Sequence, residues 1–325
     1  MSMTVGVDIG GSSTTAVTLS QDGEVTGRYR AEAQIEGGRQ MVLSALAALA
    51  SFDLDDCVAV GIGVPGLVDS TTGRVTMAVN LGVGVHPYPL AAEVGAATGL
   101  PVTIENDVRA AALGAHESLR LAGDPPESLA MVSIGTGISA GFVVRGELLH
   151  GVHGMAGEIG HVVIDESAAL CRCGQRGCLE AVAAGPAIAR AWPKGAAGSA
   201  ATALFSAAAD GDPAAQKVAG RIAGYITTAL NWLAAAYDTE RIVIGGGVSD
   251  AGDTFLSAIR DRISRQAALS DLAARRLRPE QVTLALRDDP PGPRGAAVLA
   301  ARSLPTHSLP TRRVSPARTQ ATNAK

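Results

Sequence analysis

Lysine is scarce in this 325-residue chain: Lys194, Lys217 and Lys325 stand against twenty-four arginines. None of the three follows a glycine-rich turn, so the P-loop pattern G-x-x-x-x-G-K-S/T is missing, and a nucleotide bound here is held some other way. Aromatic residues are equally sparse, at 3% against 47% apolar residues. That aliphatic composition suits one large or two medium globular domains and excludes disorder for most of the chain. The start, MSMTVGVDIGG, has no basic leader and its apolar run breaks at Asp8, so neither a signal peptide nor a membrane anchor is expected, and the location is read as cytoplasmic. The longest apolar run, Ile222 to Tyr237, contains Asn231 and is shorter than a membrane span needs. It reads as a buried helix. The net charge of −4 includes four basic residues and no acid from Leu304 onward, which leaves −8 on the body and argues against nucleic acid as a partner.

Cysteine is rare too, yet three of the four cysteines fall within eight residues. His161, Cys171, Cys173 and Cys178 give H-x9-C-x-C-x4-C, the number and type of ligands that a closed tetrahedral Zn²⁺ site uses. A disulfide is disfavoured in a cytosolic chain, and C-x-C lacks the C-x-x-C spacing of a redox pair. Gly174 and Gly177 fit a loop that turns tightly around an ion, and the lone Cys57 reads as a small buried hydrophobe.

Extended stretches from Val5 to Gly10, Thr14 to Ser20 and on to Ala31 surround a Gly-Gly turn and Asp22-Gly23. The same order of strand, glycine turn, strand, polar-glycine turn and strand recurs in "LAMVSIGTGISAGFVVRGELL". This repeat predicts two related α/β halves with a cleft between them. Helices are expected over Gln40 to Ser51, Ala91 to Thr98, Val108 to Leu121, Pro213 to Tyr237 behind an Asp212 cap, from about Thr254, and near Arg294 to Ser303. Further strands are expected at Val58 to Gly63, Pro101 to Ile104, Arg241 to Ile244 and Val282 to Leu286. The residues 304–325, rich in Pro, Ser, Thr and Arg, read as a disordered tail.

Asp8 with Gly10-Gly11-Ser12 at the first turn, and Gly135-Thr136-Gly137 at its repeat, present unobstructed backbone N–H groups to phosphate oxygens, or else are simple hairpin turns. Gly245-Gly246-Gly247 after a strand leaves room for a nucleobase or for close packing. The match "GIGVPG" to G-x-G-x-x-G is rejected as a dinucleotide fingerprint, because Pro65 and the residues after it do not open a helix; it reads as a loop lining the cleft. In "IENDVRAA", Asp107 caps a helix or accepts a proton, and Asn106 is a neutral group that can fix a hydroxyl. Asn80, Glu158 and Glu180 are further candidates for hydroxyl contacts.

In order, "VGVDIGGSS", "VGIGVPGLVD", "IENDVRAAALGA", "IGTGISAGFVVRGELLHGVHGMAGEIGH", "CRCGQRGCLE" with "AVAAGP", and "VIGGGVSDAGD" resemble the sugar kinases of the ROK family (repressors, open reading frames and kinases), within the actin-like ATPase superfamily, over about residues 4–302. The resemblance implies a two-domain α/β fold of the actin-like ATPase, ribonuclease H-like type with an interdomain cleft. Residues 1–115, completed by 290–303, would form one domain, and 116–289, with a zinc loop at 158–180, the other. It implies Asp107 as catalytic base and Asn80, Asn106, Glu158, His161 and Glu180 on the sugar. ATP would lie on Asp8, Gly10, Gly11, Ser12, Ser13, Gly135, Thr136, Gly137, Gly245, Gly246 and Gly247, with Mg²⁺ near Asp8 and a structural Zn²⁺ on His161, Cys171, Cys173 and Cys178. His161 would use one ring nitrogen for the metal and the other for the sugar.

The expected activity is transfer of the γ-phosphoryl group of ATP to the 6-hydroxyl of glucose or a related hexose by a homodimer or homotetramer. An N-acetylhexosamine kinase and a catalytically silent sugar sensor are the alternatives. A repressor of the family would need a helix-turn-helix ahead of the first Gly-Gly turn, where no room exists. The chain departs from the family pattern at Ser12-Ser13, Val83, Val108-Arg109 and Ser139. Arg109 was expected either to lower the pKa of Asp107 or to bind a phosphate.

Overall fold

The computed structural model describes residues 2–32, 34–194, 199–286 and 288–304. The expected tail therefore lies outside the described residues, apart from Leu304. The first half runs β1 (Met3–Ile9), β2 (Ser13–Leu19), β3 (Val25–Glu32), α1 (Gly38–Leu49), β4 (Cys57–Val64), β5 (Leu67–Asp69), β6 (Arg74–Thr76), α2 (Leu90–Thr98), β7 (Val102–Asn106) and α3 (Asp107–Leu121). The second runs β8 (Ser128–Ile134), β9 (Ile138–Val144), β10 (Glu147–Leu148), α4 (Leu179–Ala183), α5 (Gly185–Ala191), α6 (Ala200–Ala209), α7 (Pro213–Tyr237), β11 (Arg241–Gly245), α8 (Gly252–Ala267), α9 (Asp271–Arg276) and β12 (Val282–Leu284). The closing helix is α10 (Pro291–Ser303).

The two sheets share one topology. The first has the order β3-β2-β1-β4-β7 and the second β10-β9-β8-β11-β12. In each, an antiparallel meander leads into two strands parallel to its first strand. The repeated glycine turns are thus the β1–β2 and β8–β9 hairpins. This is the two-domain actin-like ATPase architecture expected from the resemblance. Each sheet has its own buried apolar cluster, one around Val5, Val7, Met41 and Ile62, the other around Phe142, Phe205, Leu230 and Phe255.

Helix α3 lies between the halves. Ten consecutive residues, from Val108 to Glu117, are buried, as expected of a helix packed on all sides. One side meets β8 and β9 and the other meets α10. Alanine and glycine dominate it because backbones approach closely there: a Cβ on Gly295 of α10 would fall 1.7 Å from the Ala110 carbonyl oxygen. Helix α10 in turn covers β1 and β4 of the first sheet.

Two expectations need correction. Gly61 to Val64 of "GIGVPG" belong to the buried strand β4, not to a loop lining the cleft, because both faces of that strand are covered. No helix follows, and β5 comes next, consistent with the rejected dinucleotide reading. The short β5–β6 hairpin and helices α4, α5, α6 and α9 were not anticipated. Among the described residues, no helix is long and apolar enough to cross a membrane; the Ile222 to Tyr237 run forms the second half of α7, with its apolar face buried.

Candidate active site

The parallel register aligns the carboxyl ends of three strands, with Asp8 opposite Gly63 and Val64 opposite Asn106. Open α/β sheets bind ligands beyond such ends. A Cβ built on Gly63 would lie 3.5 Å from Asp8 Oδ1 and 3.5 Å from Asp107 Cα, so this glycine lies next to the Asp8 carboxylate and the start of α3. Asp8 is also pressed against Gly292 in the first turn of α10, where a Cβ would fall 2.4 Å from Asp8 Oδ2. Burial, reinforced by Asp107, pushes the Asp8 carboxyl up to about 8. Burial also raises Asp107, to about 6; the Val108 N–H opposes the shift and Glu158 adds to it. Asp8 thus feels the charge of Asp107, and Asp107 that of Glu158.

Helix α3 begins at Asp107, and its cap is Asn106. The Asn106 Oδ1 accepts from the N–H groups of Val108 and Arg109, both at 3.1 Å, and its amide donates to the Gly66 carbonyl. Asp107 Oδ1 accepts from Val108 N–H, at 3.0 Å. The role of cap, considered above for Asp107, therefore falls mainly to its neighbour. Arg109 takes the first expected role and not the second: its charge draws the Asp107 carboxyl down, although burial outweighs it, and the guanidinium is 3% exposed and turned to Glu105 and the Gly154 carbonyl instead of a phosphate.

The hairpin turns are closed by backbone bonds, Gly10 N–H to Ser13 O and Gly135 N–H to Gly137 O, both 2.9 Å. Ser12 is exposed and Ser13 opens β2. In the second half, Gly135 approaches Gly247, whose N–H lies 4.0 Å from a Cβ position on Gly135, and Gly246 sits against the Ile134 backbone at φ 82°, which glycine adopts without cost. Glu180 accepts from Ile138 N–H at 3.2 Å and lies beside Gly137. Thr136, Cys171, Arg172 and Glu180 line one small cavity, so the second glycine turn and the cysteine loop meet. In the second half, the structure thereby brings the Gly135 to Gly137 turn and Glu180 together with the cysteine loop.

Each ligand atom of His161, Cys171, Cys173 and Cys178 lies within 4.8 Å of the others. His161 Nδ1 is 3.6 Å from Cys171 Sγ, and Cys173 Sγ is 3.6 Å from Cys178 Sγ. Zn–S and Zn–N bonds of about 2.3 and 2.0 Å give tetrahedral edges of about 3.5–3.8 Å. The donor set therefore fits that ion. The Gln175 N–H and side-chain amide hold the Cys173 thiol down at about 6, whereas burial and the adjacent sulfurs push Cys178 up to about 12. A cation is what would keep all three sulfurs as thiolates.

Three features escaped the sequence reading. Arg172, between two cysteines, donates to Asn80 Oδ1 at 3.0 Å and ties the cysteine loop to the first half. Gly292 makes room for Asp8. Glu105, 2% exposed, pairs with Arg109 and His150. Only the last had a signal, an acid inside an otherwise buried strand, which needs a partner.

The ROK family model matches residues 4–303. The glucokinase of Halalkalibacterium halodurans is 37% identical over 286 residues, covering 81% of this chain and 86% of that protein. An N-acetylmannosamine kinase of Escherichia coli is 31% identical over 265 residues, 82% of this chain and 89% of that protein. Among solved structures, the ROK glucokinase of Streptomyces griseus in complex with glucose and AMPPNP superposes with a TM-score of 0.76 at 30% identity, over 92% of this chain and 99% of that one. From the match along nearly its whole described length, and from relatives above 30% identity, this chain belongs to the ROK family.

Proposed function

We propose that the cleft transfers the γ-phosphoryl group of ATP to the 6-hydroxyl of glucose or a closely related hexose, with Asp107 as the base. The chain is a sugar kinase, a phosphotransferase acting on an alcohol group. The observation that carries the assignment of roles is the place of Asp107, between Asp8 under the first glycine turn and Glu158 on the loop that leads to the cysteine cluster. Phosphoryl transfer asks chiefly for positioning and charge stabilisation. Backbone N–H groups at Gly10 to Ser13 and at Gly135 to Gly137 would hold the phosphates, and Gly245 to Gly247 would leave space for the nucleoside. Asn80, Asn106, Glu158, Glu180 and the Nε2 of His161 would hold the sugar hydroxyls. As the 6-oxygen bonds to the γ-phosphorus, the bond to the ADP oxygen breaks and the hydroxyl proton passes to Asp107, whose raised pKa makes it a better base than an exposed aspartate.

Asp8, half-buried and raised to about 8, fits a residue that faces a cation, and Mg²⁺ held there with ATP would neutralise phosphate charge. Zn²⁺ on the His161 and cysteine cluster would be structural. Residues 1–115 with 290–303 act as one lobe in this reading and 116–289 as the other; the enzyme is a cytoplasmic homo-oligomer whose size light scattering would establish.

The test is an ADP-release assay with MgATP across glucose, mannose, fructose, N-acetylglucosamine and N-acetylmannosamine. Turnover on glucose supports the proposal. Preference for N-acetylmannosamine would favour the second reading, for which the 31% identical kinase of Escherichia coli is the support. Hexose binding without turnover would make the protein a sensor.

A further inference from the structure

A buried charged group links the two halves directly behind the cleft. Glu105 lies on β7, one strand position before Asn106. Its Oε1 accepts from Arg109 Nε at 2.7 Å and from the Asn106 N–H at 2.7 Å, and its Oε2 meets His150 Nε2 at 2.7 Å. Arg109, in the first turn of α3, donates through Nη1 to the Gly154 carbonyl at 2.8 Å. His150 and Gly154 belong to the loop after β10, which is anchored to the second sheet by the bonds from Leu149 N–H to Phe142 O and from Ala140 N–H to Gly157 O. Glu158 follows immediately. Two of the loop's residues are therefore pinned to the strand end and helix turn that carry Asn106 and Asp107.

Burying the charges of Glu105 and Arg109 is costly unless their pairing and hydrogen bonds compensate for it. Here Arg109 Nη2 is buried with no partner, so the arrangement is not the one that satisfies most hydrogen bonds. What it does fix is the span from Asp107 to Glu158. His150 and Glu105 also line a cavity of about 470 Å³ with Thr103, Glu147, Leu148 and Arg302, so the outer end of the group reaches solvent and does not close the core.

We propose that Glu105, Arg109 and His150 are positioning residues that clamp the loop 150–158 against the start of α3 and so set the sugar-side geometry of the cleft. The proposal rests on the kinase reading for its catalytic consequence, but not for the clamp itself. It also gives Arg109, a departure from the family pattern, a function beyond the small lowering of the Asp107 carboxyl by its charge.

The test uses the full chain and begins at His150, which is partly exposed, so its variants keep the fold. In His150→Ala, amide exchange in residues 151–158 accelerates about tenfold, the loss of one charge-assisted bond, while exchange in α7 is unchanged. The KM for the hexose rises about tenfold and the KM for ATP stays within twofold. His150→Gln, whose amide reaches the position of Nε2, restores both the loop and the hexose KM. Arg109→Met repeats the His150→Ala pattern. A merely structural contact would lower the melting temperature and leave the two KM values in their wild-type ratio, which overturns the positioning role. Wild-type exchange in the loop of His150→Ala overturns the clamp. Wild-type protein silent with every hexose, but showing the exchange effect, overturns the kinase reading and upholds the clamp.

Discussion

Asp107 and Asp8 are acids that the fold makes harder to ionise, and each predicts its own measurement. With a carboxyl at about 6, the base must lose its proton before it can accept one from the sugar, so kcat/KM should climb with pH and level off above an apparent pKa near 6. Asp107→Asn should lower kcat by about 10²–10⁴-fold while calorimetry still detects hexose binding. Asp8 is raised further, to about 8. A carboxyl that binds its proton more tightly when folded contributes most below its unfolded pKa, and that contribution fades as pH rises through the folded value. Asp8→Asn should therefore melt a few degrees higher than the parent at pH 8, with turnover lost; a lower melting temperature would contradict the strain assigned to this carboxyl. Both acids were legible in the sequence: Asp8 interrupts the apolar first strand two residues before Gly10-Gly11, and Asp107 follows Asn106 where a strand gives way to a helix. Their shared environment was not, since Gly63, which lies next to both, and Gly292, which makes room for Asp8, are fifty-five and 284 positions from Asp8.

The cysteine loop and the helices around α3 show how much each element depends on something its own sequence does not display. The H-x9-C-x-C-x4-C spacing announced the ligand set, and the sulfur and nitrogen separations match it. Stoichiometric zinc, about one per chain, is expected from metal analysis, and a chelator should loosen 158–180 and raise the hexose KM before it affects α7. The Arg172 to Asn80 bond had no such signature, because it depends on how the halves face each other. Helix α3 carried a readable apolar pattern, but nothing local foretold that a second helix would cross it at backbone distance. Gly295→Ala should destabilise the protein by at least about 1–3 kcal/mol, seen as an earlier urea midpoint, since the new methyl meets the Ala110 carbonyl and not a side chain that can move. Helices α4, α5, α6 and α9 were missed because they are short or Ala-rich, with burial decided by neighbours remote in sequence.

As a whole, the molecule repeats one sheet topology twice, and that repetition was legible from the turns alone. The interlocking of the repeats was not: the chain leaves the first half through α3, builds the second, and returns through α10 to cover β1 and β4. This return sets an order for biosynthesis. The second sheet and its core can consolidate once β12 has emerged from the ribosome. The first, although made earlier, keeps one face of β1 and β4 bare until synthesis is nearly over, so a nascent chain stalled before residue 291 would hold a finished second half and a first half still open to chaperones and proteases.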